Sequence, residues 1–298
     1  MEKRTALREL VAQKQVFAPC VFDNISVRTV ELCGYEATVL DGDEIAYAMC
    51  GLPGAEMLNA EELIWLMHRM TDYTQLPVIG DMKGSMELSE LTVYENAYRL
   101  AKNGAAAVIV DDSAEGNSLC SAEDAYARIK AAKKACENTD CMVIFRTQAL
   151  QTYNLEEAIA RCKTARSCGA DITGIAGLKN KQQAEEYHRQ DAGIKMWFSL
   201  GADNGVSDIE PEEADALNFK IISLHYTAKG AFYGMLYYGK RTLKDGNTVF
   251  HDTHDFDGLL NPGQDYHELF SFWKKWLPLE DRFNDVSEVM SKTYDIKL

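Results

Sequence analysis

The segment Leu76-Pro-Val-Ile-Gly-Asp-Met-Lys-Gly-Ser85 joins a short apolar run to a charged pair at a glycine turn. An apolar run of this length, bounded by turn residues, is typical of a buried parallel strand. Such a strand presents Asp81 and Lys83 at its carboxyl end. In α/β folds the active site lies at the carboxyl ends of the strands, although structural ion pairs also gather there. The segment therefore predicts either part of a site or a solvated ion pair.

The same unit, a strand followed by a helix, recurs eight times. The predicted strands are Val16–Phe22, Tyr35–Leu40, 76–81, Ala105–Val110, Met142–Phe145, Ala170–Ile175, Ile194–Leu200 and Phe219–Leu224. Three of the helices end at a glycine in the same place in the unit, at Gly34, Gly104 and Gly169. Regular alternation with short connections predicts a parallel sheet, and eight units predict a closed (β/α)8 barrel of the TIM type.

The two ends of the chain extend this barrel. A helix over residues 2–14 is predicted from the helical spacing of Leu7, Leu10 and Val11. We expect the barrel with this helix to occupy residues 1–243, and a C-terminal loop with helices for oligomer packing to occupy residues 244–298. Burial against a neighbouring subunit, or else packing on the chain's own barrel, explains the aromatic residues Phe270, Phe272, Trp273 and Trp276.

Composition limits the function. The 298 residues carry a net charge of -15, which argues against a nucleic-acid surface because phosphate binding depends on clustered Lys and Arg. No apolar run approaches the roughly 20 residues that span a bilayer, and the first residues form a charged helix rather than a signal peptide. The eight cysteines contain no Cys-x-x-Cys pair and are expected to be reduced. We therefore predict a cytoplasmic protein that does not associate with membranes.

Residues suited to binding an anion or a metal follow several of the predicted strands. If the barrel forms, these residues face one opening, the barrel mouth: Phe22, Asp23, Asp41, Gly42, Asp43, Asp81, Lys83, Asp111, Asp112, Arg146, Thr147, Gln148, Ser199 and His225. Clustered carboxylates indicate magnesium, which takes oxygen ligands and keeps several waters. The guanidinium of Arg146 can hold a carboxylate or a phosphoryl group through two hydrogen bonds.

The order and spacing of these segments resemble the isocitrate lyase/phosphoenolpyruvate mutase superfamily. The resemblance runs from about Val16 to His225 and is carried by Phe22–Ser26, Asp41-Gly42, Cys50–Gly54, Leu76–Asp81, Gly104–Asp112, Phe145–Thr147 and Gly169–Asp171. It implies a (β/α)8 barrel with a swapped C-terminal helix, in a homodimer or homotetramer. It also implies an enzyme that uses Mg²⁺ to make or break C–C or P–C bonds in small 2-oxo or 2-hydroxy acids, with a carboxylate or phosphonate substrate.

The chain departs from the family at the metal site. The family's third-strand motif is Asp-x-Asp, whereas here Asp81 is followed by Lys83 at the second position. The acidic residue after the fourth strand is retained as Asp111. At three other positions where the family has an acidic residue, this chain has Gly54, Gln148 and Ala176. We therefore predict Asp81 and Asp111 as ligands if a metal binds at all. We expect Mg²⁺ binding to be weakened or lost, with the ammonium of Lys83 standing in for the cation.

The catalytic loop also departs from the family. Lyases of the family carry a Lys-x-Cys-Gly-His type segment after the fourth strand, but residues 113–120 contain neither Lys nor His. Cys120 therefore lacks the neighbours of the family's cysteine, and we do not assign it that role. His225 is the candidate general acid or base by position, with a supporting core histidine as the alternative. The cluster His251–Asp257 resembles a metal site but is predicted to be a solvated acidic loop, unless it reaches a neighbour's active site.

These residues support three hypotheses. The first is a diverged lyase-like or phosphonomutase-like enzyme, with Lys83, Arg146 and His225 as catalytic residues. Its predicted substrate-binding residues are Phe22, Asp41, Gly42, Asp43, Arg146, Gln148 and Ser199. The second uses Lys83 to form a Schiff base with a 2-oxo acid, which requires a lowered lysine pKa. The third is a catalytically silent barrel that binds a metabolite or serves as a partner subunit.

Overall fold

Eight parallel strands form a closed barrel, so the predicted (β/α)8 architecture is confirmed. The computed structural model describes residues 3–83, 89–114, 118–203, 206–253, 266–271 and 276–279. The barrel strands, in chain order, are Val16–Val21, Thr38–Leu40, Val78–Asp81, Ala107–Asp111, Met142–Thr147, Ile172–Ile175, Lys195–Trp197 and Phe219–Leu224. Each strand pairs with the next, and the first also pairs with the eighth.

Helices connect these strands, and further helices precede the first strand and follow the eighth. In the described residues they are α1 Lys3–Gln13, α2 Asn24–Leu32, α3 Gly42–Met49, α4 Ala60–Tyr73, α5 Glu90–Lys102, α6 Ala122–Ala135, α7 Ala149–Thr152, α8 Leu155–Ser167, α9 Lys181–Gln190, α10 Pro211–Ala216, α11 Thr227–Asp245, α12 Val249–Thr253 and α13 Tyr266–Ser271. A 3-10 helix spans Ala55–Met57. Two short hairpins pair Ser113–Ala114 with Ser118–Leu119 and Ala202–Asp203 with Val206–Ser207. None of the helices in these ranges is long and apolar enough to cross a membrane.

The alternation of side chains along each strand determines which residues face the barrel interior. Val16, Ala18 and Cys20 alternate on the first strand and all belong to the inner apolar core. On other strands, the same alternation continues from the residues that face the interior to the residues at the mouth. It places Asp41 after Val39, Asp81 after Ile79, Asp111 after Ile109, and Arg146 after Ile144. The charged side chains at the mouth therefore continue the apolar rows beneath them.

Helix α1 closes the opposite end of the barrel. Leu7 and Val11 are almost fully buried and belong to the same inner core as Val16 and Ile221. This packing explains the predicted apolar face of the helix.

Glycines end three of the helices, as the sequence predicts. Gly34, Gly104 and Gly169 have φ angles of +86°, +98° and +109°, a region that favours glycine. At Gly104 an added Cβ would come within 2.9 Å of the Thr71 side chain. The repeated glycine is thus required by the chain reversal between helix and strand.

The contacts divide the chain into residues Met1–Gly234 and Met235–Leu298. In the second unit, the rings of Tyr237, Tyr238 and Phe250 pack against one another at centroid distances of 5.6 to 6.0 Å. The boundary predicted after residue 243 and the swapped helix stay predictions. Residues 254–257 of the His251–Asp257 cluster lie outside the described residues, as do Phe272, Trp273 and residues 280–298.

Candidate active site

A cavity of about 270 Å³ opens at the carboxyl ends of the barrel strands. Eight residues predicted from the sequence line it together: Asp41, Asp43, Asp81, Lys83, Arg146, Gln148, Ser199 and His225. Apolar side chains of the inner core, Val39, Ile109 and Met196, lie beneath them. Segments far apart in the sequence thus contribute side chains to one small polar pocket.

Three of the residues predicted to bind substrate or metal lie behind the cavity wall rather than on it. Phe22 is packed in the outer core, and its N–H group donates to Ser26 Oγ at 3.1 Å. Gly42 begins α3, where an added Cβ would come within 2.9 Å of Ala55 Cβ. Asp111 is fully buried and acts on the cavity through Arg146.

Arg146 forms the central ion-pair network of the site. Its Nη1 and Nη2 donate to Asp81 at 2.7 and 3.0 Å, and its Nε donates to Asp111 at 2.5 Å. The register of the barrel causes this arrangement, because Asp111 and Arg146 are direct partners on adjacent strands. Burial lowers the pKa of Arg146, but the two carboxylates raise it well above its usual value. The guanidinium is therefore a permanent buried cation held by two carboxylates.

Every carboxylate oxygen of Asp81 and Asp111 accepts a hydrogen bond. Asp81 Oδ1 also accepts from the Lys83 N–H group at 3.1 Å. Asp111 Oδ1 accepts from the Ser113 N–H group at 2.5 Å, and Asp111 Oδ2 accepts from Gln148 Nε2 at 3.1 Å. A magnesium ion needs carboxylate lone pairs that face it, whereas here six N–H hydrogen bonds take up part of them and the Arg146 guanidinium places its positive charge between the two carboxylates. The residues therefore do not fit Mg²⁺ while Arg146 holds this position.

Lys83 forms a separate ion pair at the cavity edge. Its Nζ donates to Asp43 Oδ2 at 2.8 Å, and Asp43 Oδ1 accepts from the Ala55 N–H group at 2.9 Å. Burial lowers the pKa of Lys83, but the hydrogen bond and charge of Asp43 raise it by more. The amine is therefore protonated at neutral pH, which disfavours a nucleophilic role. The Lys83 side chain is 29% exposed and the Arg146 side chain 10%, so Lys83 is the more accessible of the two cations.

His225 lies in the cavity lining between two groups that the sequence did not indicate as site residues. Its Nδ1 is 3.3 Å from Glu44 Oε1, and its Nε2 is 3.5 Å from Cys20 Sγ. Thr227 Oγ1 lies 2.8 Å from Glu44 Oε2 and 2.6 Å from the Cys20 carbonyl oxygen. Burial lowers the pKa of His225, but Glu44 and Asp41 raise it by more. Alternation along the first strand could have identified Cys20, and the first turn of α3 could have identified Glu44.

Asp41 combines a structural and an electrostatic role. It caps α3, and its Oδ1 accepts from the Glu44 N–H group at 2.9 Å. Burial, followed by the nearby Asp81 charge, raises its pKa from 3.8 to about 6. A raised carboxyl pKa means that the folded protein holds this proton more tightly than the unfolded chain does. The contribution of Asp41 to stability therefore becomes unfavourable as the pH rises through the window from about 4 to 6.

We expect Asp41→Asn to stabilise the protein above pH 6, because asparagine keeps the helix cap and removes the buried charge. The gain is of order 1 to 3 kcal/mol, from about 1.4 kcal/mol per unit of pKa. It should shrink toward zero below about pH 4. Urea unfolding of both proteins across this range, in buffer freed of divalent cations, measures it. A stability difference that does not change with pH would contradict the assignment.

A second buried network supports the site from behind. Asp112 accepts from Thr147 Oγ1 at 2.6 Å, from the Gln148 N–H group at 2.9 Å and from Arg161 Nη1 at 3.0 Å. These bonds hold the turn that carries Gln148 toward the cavity. Cys120 lies beside this network outside the cavity lining, and burial raises the pKa of its thiol to about 11. A thiol of this kind is neutral and weakly nucleophilic.

Ser199 completes the predicted set at the cavity edge. Its backbone has a φ of +58°, which is uncommon for a residue other than glycine. Its N–H group donates to Ser223 Oγ at 2.9 Å, which ties the seventh and eighth strand ends together. The side chain is exposed and faces the cavity, so its hydroxyl is available to a bound molecule.

Comparison with known proteins identifies relatives over most of the chain. The profile of the family described as phosphoenolpyruvate phosphomutase matches residues 7–237. Oxaloacetate decarboxylase of Paraburkholderia xenovorans (strain LB400) is 30% identical over 192 residues, which are 61% of this chain and 64% of that protein. The petal death protein of Dianthus caryophyllus is 26% identical over 296 residues, 95% of this chain and 90% of that protein.

A solved structure has the same fold. The crystal structure of 2,3-dimethylmalate lyase, described as a PEP mutase/isocitrate lyase superfamily member, superposes with a TM-score of 0.82 at 21% identity. The superposition covers 95% of this chain and 100% of that one.

Proposed function

Because the chain belongs to the phosphoenolpyruvate phosphomutase family, we propose that it makes or breaks a C–C or P–C bond in a small 2-oxo or 2-hydroxy carboxylic acid. The observation that supports this most directly is a cavity of about 270 Å³ with Lys83 and Arg146 beside each other in its lining. The cavity is slightly smaller than pockets for drug-sized ligands, which begin near 300 Å³, and so suits an acid of a few carbon atoms.

We assign Lys83 the role of stabilising the negative charge that develops on the substrate. Its ammonium is partly exposed, and Asp43, which holds it, is itself 41% exposed. A substrate carboxylate or enolate oxygen can take the place of one Asp43 hydrogen bond without uncovering a buried charge. A cation positioned where charge develops stabilises the transition state because it needs no reorganisation during the reaction.

Arg146 supplies the permanent positive charge at the bottom of the site. Asp81 and Asp111 fix its guanidinium from two sides, and the Phe198 ring lies 5.4 Å from it. In this proposal Arg146 takes the electrostatic place of the family's magnesium ion, and Mg²⁺ dependence is weak or absent. Gln148 and Ser199 then orient the polar groups of the substrate at the cavity edge.

The identity of the residue that transfers a proton in the reaction stays a prediction. His225 was predicted for this role by position, and its two ring nitrogens face Glu44 and Cys20. The proposal also includes the cytoplasmic location and the homodimeric or homotetrameric assembly expected from the sequence.

A catalytically silent barrel is the alternative, and the pairing of the cations favours it. Lys83 and Arg146 each bind a carboxylate of the protein, so a substrate must displace an existing partner. The segment after the fourth strand also lacks the Lys and His of the lyases. Such a barrel would bind a metabolite without converting it.

Turnover assays on a panel of acids test the proposal. The panel takes its members from the substrates in the relatives' names: oxaloacetate, 2,3-dimethylmalate, isocitrate and phosphonopyruvate. We expect release of a 2-oxo acid, oxalate or phosphate from at least one, with rates that do not change when Mg²⁺ is added. Thermal stabilisation by a panel member without turnover would support the silent barrel instead. Neither stabilisation nor turnover would overturn both.

A further inference from the structure

Three side chains with different donor atoms converge in the cavity lining. Cys20 Sγ, a carboxylate oxygen of Asp41 and a ring nitrogen of His225 all lie within 4.8 Å of one another. They come from the first strand and from the ends of its two neighbours, the second and the eighth. Strand register therefore brings them together, and Cys20 and Asp41 are both buried.

The spacing of two of these donors already matches a metal site. His225 Nε2 lies 3.5 Å from Cys20 Sγ. In a tetrahedral zinc site, with a Zn–S bond of about 2.3 Å and a Zn–N bond of about 2.0 Å, the sulfur and nitrogen are about 3.5 Å apart. The pair can thus bind an ion with little movement of either side chain.

The groups behind His225 also have the arrangement of a metal site. Histidines that bind metals usually donate their other N–H group to a carboxylate, which fixes the tautomer and the ring orientation. Here Glu44 Oε1 lies 3.3 Å from His225 Nδ1 and thereby directs Nε2 toward Cys20. Thr227 Oγ1 lies within hydrogen-bond distance of both Glu44 and the Cys20 carbonyl oxygen and donates its one proton to one of them at a time. The neighbours of the cluster are therefore fixed in the orientation that an ion requires.

The local charge favours a cation at this place. Within the part of the chain that the structure describes, neither Asp41 nor Glu44 forms an ion pair with a lysine or arginine, and His225 is the one group paired with Glu44. Arg146 and Lys83 are bound to other carboxylates. A divalent cation would balance this excess of negative charge.

We propose that Cys20 Sγ, Asp41 and His225 Nε2 bind a thiophilic divalent cation of the Zn²⁺ type, with a fourth position open to the cavity. The donor set selects the ion, because thiolate and imidazole prefer Zn²⁺ and related metals, whereas Mg²⁺ takes oxygen ligands. Binding releases the Cys20 thiol proton to solvent, and the neutral imidazole keeps its Nδ1 proton for Glu44. The site is distinct from Asp81 and Asp111, where Arg146 occupies the cation position.

The open coordination position would let the ion bind a substrate atom directly, which adds to the electrostatic roles of Lys83 and Arg146. Three protein ligands with one free position are the pattern of a catalytic rather than a structural zinc site. A carboxylate or 2-oxo oxygen of a substrate can occupy that position from the cavity. In this state His225 is a ligand rather than a proton-transfer group. This use of the ion rests on the proposed function, whereas binding of the ion does not.

Cobalt substitution of the full chain tests the site. EDTA-treated, desalted protein is titrated with Co²⁺ and, separately, with Zn²⁺ by calorimetry. We expect one ion per chain, and a sulfur-to-cobalt charge-transfer band that is lost in Cys20→Ser. We expect Glu44→Gln to weaken Zn²⁺ binding by about 10- to 100-fold while keeping the band, as other mutations of such supporting groups do. Cys50→Ser changes an exposed cysteine and should alter neither result.

The outcomes separate this inference from the proposed function. Absence of the band in the parent protein, or its persistence in Cys20→Ser, would overturn the site. Circular dichroism and thermal unfolding show whether each variant folds, and Glu44→Gln retains the Cys20 ligand if Cys20→Ser does not fold. Ion binding without turnover of any acid would leave the site standing and remove the proposed function. Turnover by protein that binds no ion would overturn the metal site and leave the proposed function standing.

Discussion

Arg146→Gln is expected to lower the free energy of unfolding by about 3 to 5 kcal/mol, the usual cost of removing one partner from a buried ion pair. Asp81 and Asp111 are 4% and 0% exposed, so neither can regain the hydration that would replace the lost guanidinium. Glutamine is shorter and uncharged and leaves at least one buried carboxylate without compensation. Urea unfolding at neutral pH measures the loss.

The effect of Mg²⁺ on stability is a more specific test of the same variant. Without the guanidinium, the Asp81 and Asp111 oxygens that it contacts can instead bind a hard cation. We therefore expect Mg²⁺ at millimolar concentrations to restore part of the lost stability of Arg146→Gln and to leave the parent protein unchanged. Arg189→Gln is the matched control, because the exposed pair of Arg189 with Glu186 contributes little. Equal stability of the Arg146 variant and the parent would refute the assigned role of Arg146.

Lys83→Met is expected to reduce kcat/KM by about 10²- to 10³-fold with the acid that the panel identifies, the size of effect seen when one donor to a developing anion is removed. The Lys83 side chain is more exposed than that of Arg146, and methionine keeps most of the side-chain length but not the charge. Lys83→Arg should recover part of the activity. Lys163→Met, on the exposed side of α8, is the control.

Asp43→Asn should act in the opposite direction on substrate binding. It releases the Lys83 ammonium from its carboxylate partner, so an anionic substrate no longer competes with Asp43. We expect a lower KM, whereas Lys83→Met raises it. If Lys83→Met changes neither parameter, Lys83 is a structural partner of Asp43 and the cationic role belongs elsewhere.

The sequence predicts the barrel well because its evidence is local. Apolar runs, helix-ending glycines and regular alternation are each read within one unit, and eight repeats reinforce one another. The period of two along a strand also determines which side chains enter the mouth, and Asp81, Asp111 and Arg146 follow it. The same rule applied to Val16 and Ala18 would have placed Cys20 inside the barrel.

The pairing of charges could not be predicted in this way. The sequence suggested that Lys83 replaces the metal ion and that Arg146 is free to grip a substrate. In the structure Arg146 lies between Asp81 and Asp111, and Lys83 pairs with Asp43. A Lys or Arg side chain pairs with the carboxylate that lies within its reach across the barrel. These distances depend on strand register and side-chain length rather than on spacing along the chain. The pairing of Glu44 with His225 was not predictable for the same reason, since the two residues are 181 positions apart.

If the proposed function holds, the packing of α1 at the far end of the barrel bears on the order in which products leave. Leu7 and Val11 are buried in the inner core at that end, so under the proposed function we expect the substrate to enter, and both fragments to leave, through the cavity at the strand ends. We therefore expect the fragment nearest Arg146 to leave after the outer one. Product inhibition should accordingly be competitive for the deeper fragment and noncompetitive for the outer one.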